Sequence, residues 1–158
     1  MTKKFQTVAV GGTFDSFHRG HEKILLEAFK QSEKVLVGLT DEKLTKKLVK
    51  KHFVESYESR RDTLENFLYR EGLHTRAEIV SIDNIYGVTH FLPNLNAVVV
   101  SEETYSRALE INEIRRKSGL KRIEIIVVKK MLAEDNKPIS ATRIRLGETD
   151  RNGKVLRS

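Results

Sequence analysis

The chain has 158 residues, enough for one domain with a sizeable core and too few for two full domains. Its 39% hydrophobic and 32% charged residues are typical of a globular protein, and the absence of cysteine excludes disulfides and thiolate chemistry and favours a cytoplasmic protein. No apolar run is long enough to span a membrane, and the first one stops at Gly11, too early for a signal peptide. The net charge of +7 indicates an anionic partner, either a nucleic acid or a phosphorylated small molecule.

Five short runs rich in valine and isoleucine predict strands, at residues 7–10, 35–39, 78–82, 97–100 and 123–128. The runs are mostly continuous rather than alternating, which is typical of strands that are buried on both faces of a parallel sheet. Helical spacing of apolar residues separates them, at residues 22–30, 41–51, 56–70 and 104–117. This alternation predicts an α/β protein with a doubly wound, five-stranded parallel sheet.

The C-terminal region contains one more short element. Ser140 reads as the N-cap of a helix that Gly147 ends. The domain is therefore expected to cover residues 1–147. Residues 148–158 are polar, and they are expected to form a frayed tail.

The stretch "GGTFDSFHRGH", residues 11–21, follows the first predicted strand. Ligands of open α/β sheets bind beyond the carboxyl ends of the strands. Gly11 and Gly12 are expected to turn the backbone sharply and to let it approach a ligand closely. The helix that follows them is expected to offer free backbone N–H groups to an anion. His18 and His21 are three apart, so their rings should face one side of that helix. Two imidazoles beside a helix N-terminus suit a polyphosphate.

"GGTFDSFHRGH" resembles the first signature of the H-x-G-H nucleotidyltransferase superfamily. "ISATRIR", residues 139–145, resembles its second signature, I-S-S-T-x-x-R, with Ala141 in place of a serine. Residues 98–120 and 128–140 are similar to phosphopantetheine adenylyltransferases of the archaeal and eukaryotic type. "DNIYGV", residues 83–88, resembles the D-D-P-Y-G-P of that family without its two prolines.

This resemblance implies a Rossmann-like nucleotidyltransferase fold and a reaction of coenzyme A biosynthesis. The adenylyl group of ATP would pass to 4′-phosphopantetheine, giving dephospho-CoA and pyrophosphate. The attacking phosphate is already an anion, so positioning and electrostatic stabilisation should carry the catalysis without a general base. Mg²⁺ is expected with ATP, held chiefly by phosphates and water and with no protein ligand assigned. A monomer is favoured.

The resemblance also implies roles for single residues. His18 should donate to the α-phosphate of ATP, and His21 should hold the phosphates. Thr13 should bind the incoming phosphate, while Gly12, Phe14 and Asp15 form the ATP-binding loop.

The second signature and two further segments supply the remaining candidates. Thr142 and Arg143, after Ser140, should bind the β- and γ-phosphates, while Arg145 is left without a role. The nucleotide pocket should be lined by Ser101, Glu102, Glu103, Asn112 and Arg115. Lys46 or Lys47 reaches the reacting phosphates, or else all lysines of that segment face water; both interpretations stay open.

Two other functions compete with this one. Another H-x-G-H enzyme, such as a cytidylyltransferase or an adenylyltransferase that forms FAD or NAD, shares the first signature, but residues 98–116 favour phosphopantetheine. A nucleic-acid-binding module is disfavoured, because the aromatic residues are scattered and tryptophan is absent. In a phosphopantetheine adenylyltransferase, as in another H-x-G-H enzyme, His18 and His21 should face a solvent-filled cleft and contribute little to the stability of the fold.

Overall fold

A computed structural model describes residues 3–50 and 52–156. Its sheet contains five parallel strands in the order β3-β2-β1-β4-β5. The strands are β1 (Phe5–Gly12), β2 (Ser32–Thr40), β3 (Ala77–Ile82), β4 (Ala97–Val100) and β5 (Glu124–Val127). Each overlaps one of the predicted runs, so the five-stranded parallel sheet is confirmed.

Helices cover both faces of this sheet. They are α1 (Arg19–Gln31), α2 (Glu42–Leu48), α3 (Tyr57–Arg70), α4 (Tyr105–Lys117) and α5 (Ala141–Arg145). Successive strand residues point to opposite faces. Val8 therefore packs with Leu25 of α1 and Phe67 of α3, whereas Ala9 packs with Ile111 of α4. The doubly wound arrangement is confirmed, and no described helix is long and apolar enough to cross a bilayer.

Burial on both faces holds for the three central strands only. The side chains of β4 are all buried, but β3 and β5 form the edges of the sheet and are largely half-buried or exposed. Val127 of β5 is 44% exposed. A continuous apolar run therefore predicted a strand correctly at each edge, but overestimated how deeply that strand is buried.

The order of the strands creates a crevice beside β1. The chain runs outward from β1 through β2 to β3, and then crosses to β4 on the other side of β1. Neighbouring connections leave β1 and β4 in opposite directions, which opens a crevice at the carboxyl ends of the strands. The loop that carries the first signature lies at this end of β1, as the sequence predicts.

The expected frayed tail is wrong. Residues 148–156, here called the C-terminal strap, fold back through an antiparallel bridge between Thr149 and Val155. Thr149 is 1% exposed, and the carbonyl of Arg151 accepts a hydrogen bond of 3.0 Å from the N–H of Arg19. Residues 157 and 158 lie outside the described residues. Backbone hydrogen bonds order the strap, and its polar side chains gave no sign of them.

Candidate active site

The two histidines form a reciprocal cap at the start of α1. The Nδ1 of His18 accepts a hydrogen bond of 3.0 Å from the N–H of Gly20, and the Nδ1 of His21 accepts one of 3.1 Å from the N–H of His18. A neutral imidazole whose Nδ1 accepts carries its proton on Nε2. The rings stack with their centroids 3.8 Å apart, which confirms that they share one side. The site therefore holds two adjacent Nε2–H donors.

Both histidines are neutral at physiological pH. Burial, assisted by the positive charge of Arg151, lowers the pKa of His18 from 6.5 to about 4, against a smaller opposing effect of Glu22. Burial and the neighbouring His18 lower the pKa of His21 from 6.5 to about 3. The two imidazoles thus offer hydrogen-bond donors without a net charge, and the positive charge of the site has to come from other side chains.

The helix N–H groups predicted to bind an anion are already occupied. The N–H of Arg19 donates to Arg151, that of Gly20 to the ring of His18, and that of Glu22 to the carbonyl of His18. The N–H of His21 completes a capping box with the ring of His18. The predicted backbone anion site is therefore wrong here, and the imidazole Nε2–H groups are the donors that the first signature has left.

The histidines also contribute to the fold. His18 is 7% exposed, and its ring accepts hydrogen bonds from backbone N–H groups in the first turn of α1. The expectation that the pair contributes little to stability is wrong for His18, since losing such a cap costs about 1 kcal/mol. Gly20 belongs to the same arrangement, because a Cβ at that position would lie 2.7 Å from Cε1 of His18.

The burial of the pair predicts that stability falls in mild acid. Because the pKa values of His18 and His21 are about 4 and about 3 in the folded protein and near 6.5 when unfolded, the unfolded chain binds more protons below about pH 6.5. Each histidine should then lower the free energy of unfolding by up to about 1.4 kcal/mol for each unit that the pH falls. Urea unfolding at pH 7, 6 and 5 measures the slope. The double variant His18→Asn/His21→Asn should lose most of it; an unchanged slope would contradict the burial of both rings.

The glycines that precede the loop do not form its turn. Gly11 and Gly12 remain in β1, paired with Gly38 and Leu39 of β2. The backbone turns instead at Phe14 and Ser16, whose φ angles of 53° and 47° lie in the left-handed region. The predicted sharp turn at the glycines is wrong.

The second signature meets the first through Arg145. Its Nη1 donates to Oδ2 of the buried Asp15 at 3.3 Å, although the two residues are 130 positions apart. Ser140 caps α5, since its Oγ accepts from the N–H of Arg143 at 3.2 Å, which confirms the predicted N-cap. Arg145 has no role assigned from the sequence, yet it is the seventh residue of "ISATRIR" and matches the arginine of I-S-S-T-x-x-R. Counting along the motif would have found it.

The structure does not bring Arg143 to the histidines. The guanidinium of Arg143 is paired with Asp135, and it also contacts Oε1 of Glu148 at 3.3 Å and the carbonyl of Pro138 at 3.2 Å. Residues two apart on a helix point in nearly opposite directions. Arg143 therefore holds the loop before α5 in this structure, whereas Arg145 contacts the first signature.

One of the two candidate lysines lies beside the second signature. Lys47 lines a cleft together with Thr142 and Arg145, and Lys50 lines the same cleft. Lys46 is exposed on α2 and does not line it. The structure thus places Lys47 with the second signature, a choice that spacing in the sequence left open.

Two of the residues assigned to the nucleotide pocket hold the fold instead. The side chain of Asn112 donates to the carbonyl of Ile123 at 3.0 Å and accepts from its N–H at 2.9 Å. Arg115 is fully buried and donates to three backbone carbonyls, those of Thr89, Leu92 and Lys121. The prediction that Asn112 and Arg115 line the nucleotide pocket is wrong, because the polar groups of both side chains are hydrogen-bonded to the backbone.

The residues directly after β4 lie at the carboxyl end of the sheet, but their side chains bond with one another or face solvent. Ser101 bonds with Thr104 in a capping box, Glu103 is paired with Lys130, and Glu102 is exposed. Ser101, Glu102 and Glu103 do not line the apolar cavity between the sheet and α4, whereas Thr104 does. The structure gives Ser101, Glu102 and Glu103 no contact with the two signatures.

An apolar cavity opens beside the first signature. It has about 840 Å³ including its mouth, and it lies between the sheet and α4. Its walls include Ile82, Ala108, Ile111 and residues 85–89, while Gly11, Gly12 and Gly38 leave space that side chains would fill. Thr13 lies on its lining, as does Arg107, which forms no side-chain hydrogen bond or ion pair within residues 3–50 and 52–156. Sequence reasoning missed this cavity and Arg107.

Comparison with known proteins agrees with this geometry. The Cytidylyltransferase-like family matches residues 9–147. A phosphopantetheine adenylyltransferase from Methanosarcina barkeri is 42% identical over 154 residues, which cover 96% of this chain and 93% of that protein. A solved structure of a protein of unknown function from Archaeoglobus fulgidus is 32% identical, with a TM-score of 0.69 over 78% of this chain and 89% of that one.

A more distant structure supports the fold alone. A bifunctional NMN adenylyltransferase/ADP ribose pyrophosphatase from Francisella tularensis is 18% identical, with a TM-score of 0.60 over 90% of this chain and 41% of that one. The Rossmann-like nucleotidyltransferase fold is confirmed by this likeness. With both signatures facing one crevice and a near full-length relative at 42% identity, the chain belongs to the phosphopantetheine adenylyltransferase family, within the cytidylyltransferase-like proteins.

Proposed function

We propose that the protein transfers the adenylyl group of ATP to 4′-phosphopantetheine, giving dephospho-CoA and pyrophosphate in coenzyme A biosynthesis. The observation that carries this proposal is the position of the paired Nε2–H donors of His18 and His21. His18 ends the loop that contains Thr13 and Asp15, and His21 lies in the first turn of α1. Asp15 is bonded to Arg145, and Thr13 lines the apolar cavity. Donors for phosphate and a pocket for a long acceptor therefore share one crevice.

The acceptor fits the cavity beside β1. Its pantetheine arm is a narrow chain with a thiol end and two amides, and the lining is mainly apolar with polar groups such as Thr13, Thr89 and Arg107. With the arm in the cavity, the acceptor phosphate would lie at Thr13. Arg107 supplies a positive charge on the same lining.

ATP is assigned to the other side of the first-signature loop. Lys47, Thr142 and Arg145 line a cleft whose cationic side chains suit the triphosphate. The planar guanidinium of Arg145 can bind two phosphate oxygens at once. In this arrangement the α-phosphate lies between the acceptor at Thr13 and the outer phosphates near Arg145.

The chemistry needs no general base. An oxygen of the acceptor phosphate attacks the α-phosphorus, and the bond from that phosphorus to the bridging oxygen of pyrophosphate breaks. Negative charge accumulates on the α-phosphate oxygens in the transition state, where the Nε2–H of His18 stabilises it. His21 holds the phosphates and orients His18 through its bond to the N–H of that residue.

The side chains of the site fit a magnesium ion that arrives with ATP. The buried carboxylate of Asp15 is paired with Arg145, and no three His, Asp or Glu side chains in the described part of the chain come together to hold a metal. This donor set suits an ion bound chiefly by phosphate oxygens and water. When bound, the ion would offset negative charge on the phosphates.

A panel of acceptors tests the proposal. Pyrophosphate release with ATP and Mg²⁺ should be far faster with 4′-phosphopantetheine than with FMN, nicotinamide mononucleotide, phosphocholine or glycerol 3-phosphate, because those acceptors lack an arm that fills the apolar cavity. CTP in place of ATP is the matched control for the nucleotide. If FMN or phosphocholine were the best acceptor, the alternative within the H-x-G-H enzymes would replace this function.

Two further expectations accompany the function. The protein is proposed to act as a monomer, which sedimentation equilibrium would measure. A cytoplasmic location is also proposed, because a chain without cysteine suits a reducing compartment.

A further inference from the structure

A chain of buried hydroxyl groups runs beneath Thr13. The Oγ1 of Thr40, at the end of β2, lies 3.3 Å from the Oγ1 of Thr13 and 2.7 Å from the Oγ1 of Thr45. Thr40 and Thr45 are 4% and 3% exposed, whereas Thr13 is half-buried and lines the acceptor cavity. Thr40 also lines this cavity but is almost fully buried, so Thr13 is the more accessible member of the row to a ligand.

A buried arginine donates hydrogen bonds to two of the three threonines in this row. Arg60 of α3 is 1% exposed, and its Nη1 donates to Oγ1 of Thr40 at 3.3 Å and to the carbonyls of Thr13 and Thr40, each at 3.0 Å. Its Nε donates to the carbonyl of Glu55 at 2.9 Å. Arg60 therefore ties the ends of β1 and β2 together directly under the first-signature loop.

The partners of this row fix its direction. A guanidinium can only donate, so Thr40 accepts from Arg60 at its Oγ1. The hydroxyl of Thr45 can donate to the Oγ1 of Thr40 at 2.7 Å, a shorter contact than its 3.3 Å to the carbonyl of Thr40. The hydrogen of Thr40 is then free to point to Thr13, and Thr13, which accepts it, keeps its own hydrogen for a ligand.

We infer that Thr40 and Arg60 are positioning residues that orient the hydroxyl of Thr13 to donate to the phosphate of the acceptor. This inference rests on the proposed function, since it names the group that receives the hydrogen. Arg60 does not line the acceptor cavity, and Thr40 lines it with only 4% of its surface exposed, so both residues act through Thr13.

The burial of Arg60 supports this role. A buried cation is costly, and its Nη2 has no hydrogen-bond partner within the described residues. Apolar side chains would close the space between α3 and the sheet without that cost. The hydrogen bonds of Arg60 to Thr13 and Thr40 are therefore better explained by orientation of the loop than by stability.

The row offers a matched pair of substitutions. Thr40→Val keeps the shape of the side chain and removes the hydroxyl that contacts Thr13, so the KM for 4′-phosphopantetheine should rise about five- to tenfold, the value of one hydrogen bond. The KM for ATP and kcat should stay unchanged. Thr45→Val removes a hydroxyl of equal burial that does not contact Thr13, and should leave all three parameters unchanged.

A double-substitution cycle separates the inference from a general loss of structure. Thr13→Val should raise the same KM, and Thr13→Val/Thr40→Val should raise it no further, because both act through one hydrogen bond. Thr40→Ser, which keeps the hydroxyl, should retain the wild-type KM. Should Thr40→Val fail to fold, Arg60→Lys provides the same test, since an ammonium cannot reproduce the fork of bonds and should also raise the acceptor KM.

Two results would overturn the inference. One is an equal rise in acceptor KM for Thr40→Val and Thr45→Val, and the other is a multiplicative effect of the Thr13 and Thr40 substitutions. A failure of the proposed function is distinguishable from both, because the wild-type protein itself would then show no turnover with 4′-phosphopantetheine.

Discussion

Replacing His18 with alanine should lower kcat by about 10²–10³, the cost of removing one donor that stabilises transition-state charge. The KM for ATP should change little, because this hydrogen bond strengthens mainly as charge develops on the α-phosphate. His21→Ala should both weaken ATP binding and slow turnover, since His21 meets phosphates that are already present. Steady-state kinetics with varied ATP measures both effects.

The cap formed by His18 requires a second variant. His18→Ala should also lower the free energy of unfolding by about 1 kcal/mol, because the N–H of Gly20 loses its acceptor. His18→Asn restores a capping side chain and should restore stability without restoring kcat. His74→Ala, at an exposed histidine stacked on Tyr69, is the control that should change neither quantity. If His18→Asn recovered turnover along with stability, the role of His18 would be structural.

Arg145→Ala should weaken ATP binding about ten- to a hundredfold, as expected for the loss of charge-assisted hydrogen bonds to phosphate. The reason is the position of Arg145, which reaches Asp15 in the first signature and lines the cleft with Lys47. Arg145→Lys should recover only part of the loss, because an ammonium cannot bind two oxygens in one plane. Calorimetric titration with ATP measures the affinity.

Arg143→Ala is the matched control, two residues away on the same helix. It should leave the affinity for ATP unchanged and lower stability, since the guanidinium of Arg143 joins Asp135 and Glu148. The opposite outcome, with ATP binding lost on replacing Arg143 and kept on replacing Arg145, would return the outer phosphates to Arg143.

The parts of the fold that depend on local pattern were predictable from sequence. Valine-rich runs located all five strands, and the N-cap Ser140 located α5. His18 and His21 were predicted to share a side, and they stack. Such features depend on residues a few positions apart, whose geometry is set by the helix and strand periods.

The errors have a common physical origin. Asn112 and Arg115 have the residue types of a binding pocket, but hydrogen bonds to backbone carbonyls hold them in the fold, and periodicity does not show what a polar side chain faces. The strap is ordered by backbone bonds that its composition does not encode. Arg60 was overlooked because its partners, Thr13 and Thr40, are 47 and 20 positions away.

The strap also bears on the order in which the molecule opens. Arg19 and Arg151 are 132 positions apart, and closing a loop of that length in a free chain costs roughly 4 kcal/mol of entropy. The hydrogen bonds between these regions contribute about 1 kcal/mol each, so they form only after the sheet has already brought the two regions together. Amide hydrogens of residues 148–156 should consequently exchange with solvent through local openings that leave β1 and β2 closed. The crevice can thus loosen and re-form many times within the lifetime of a single folded sheet.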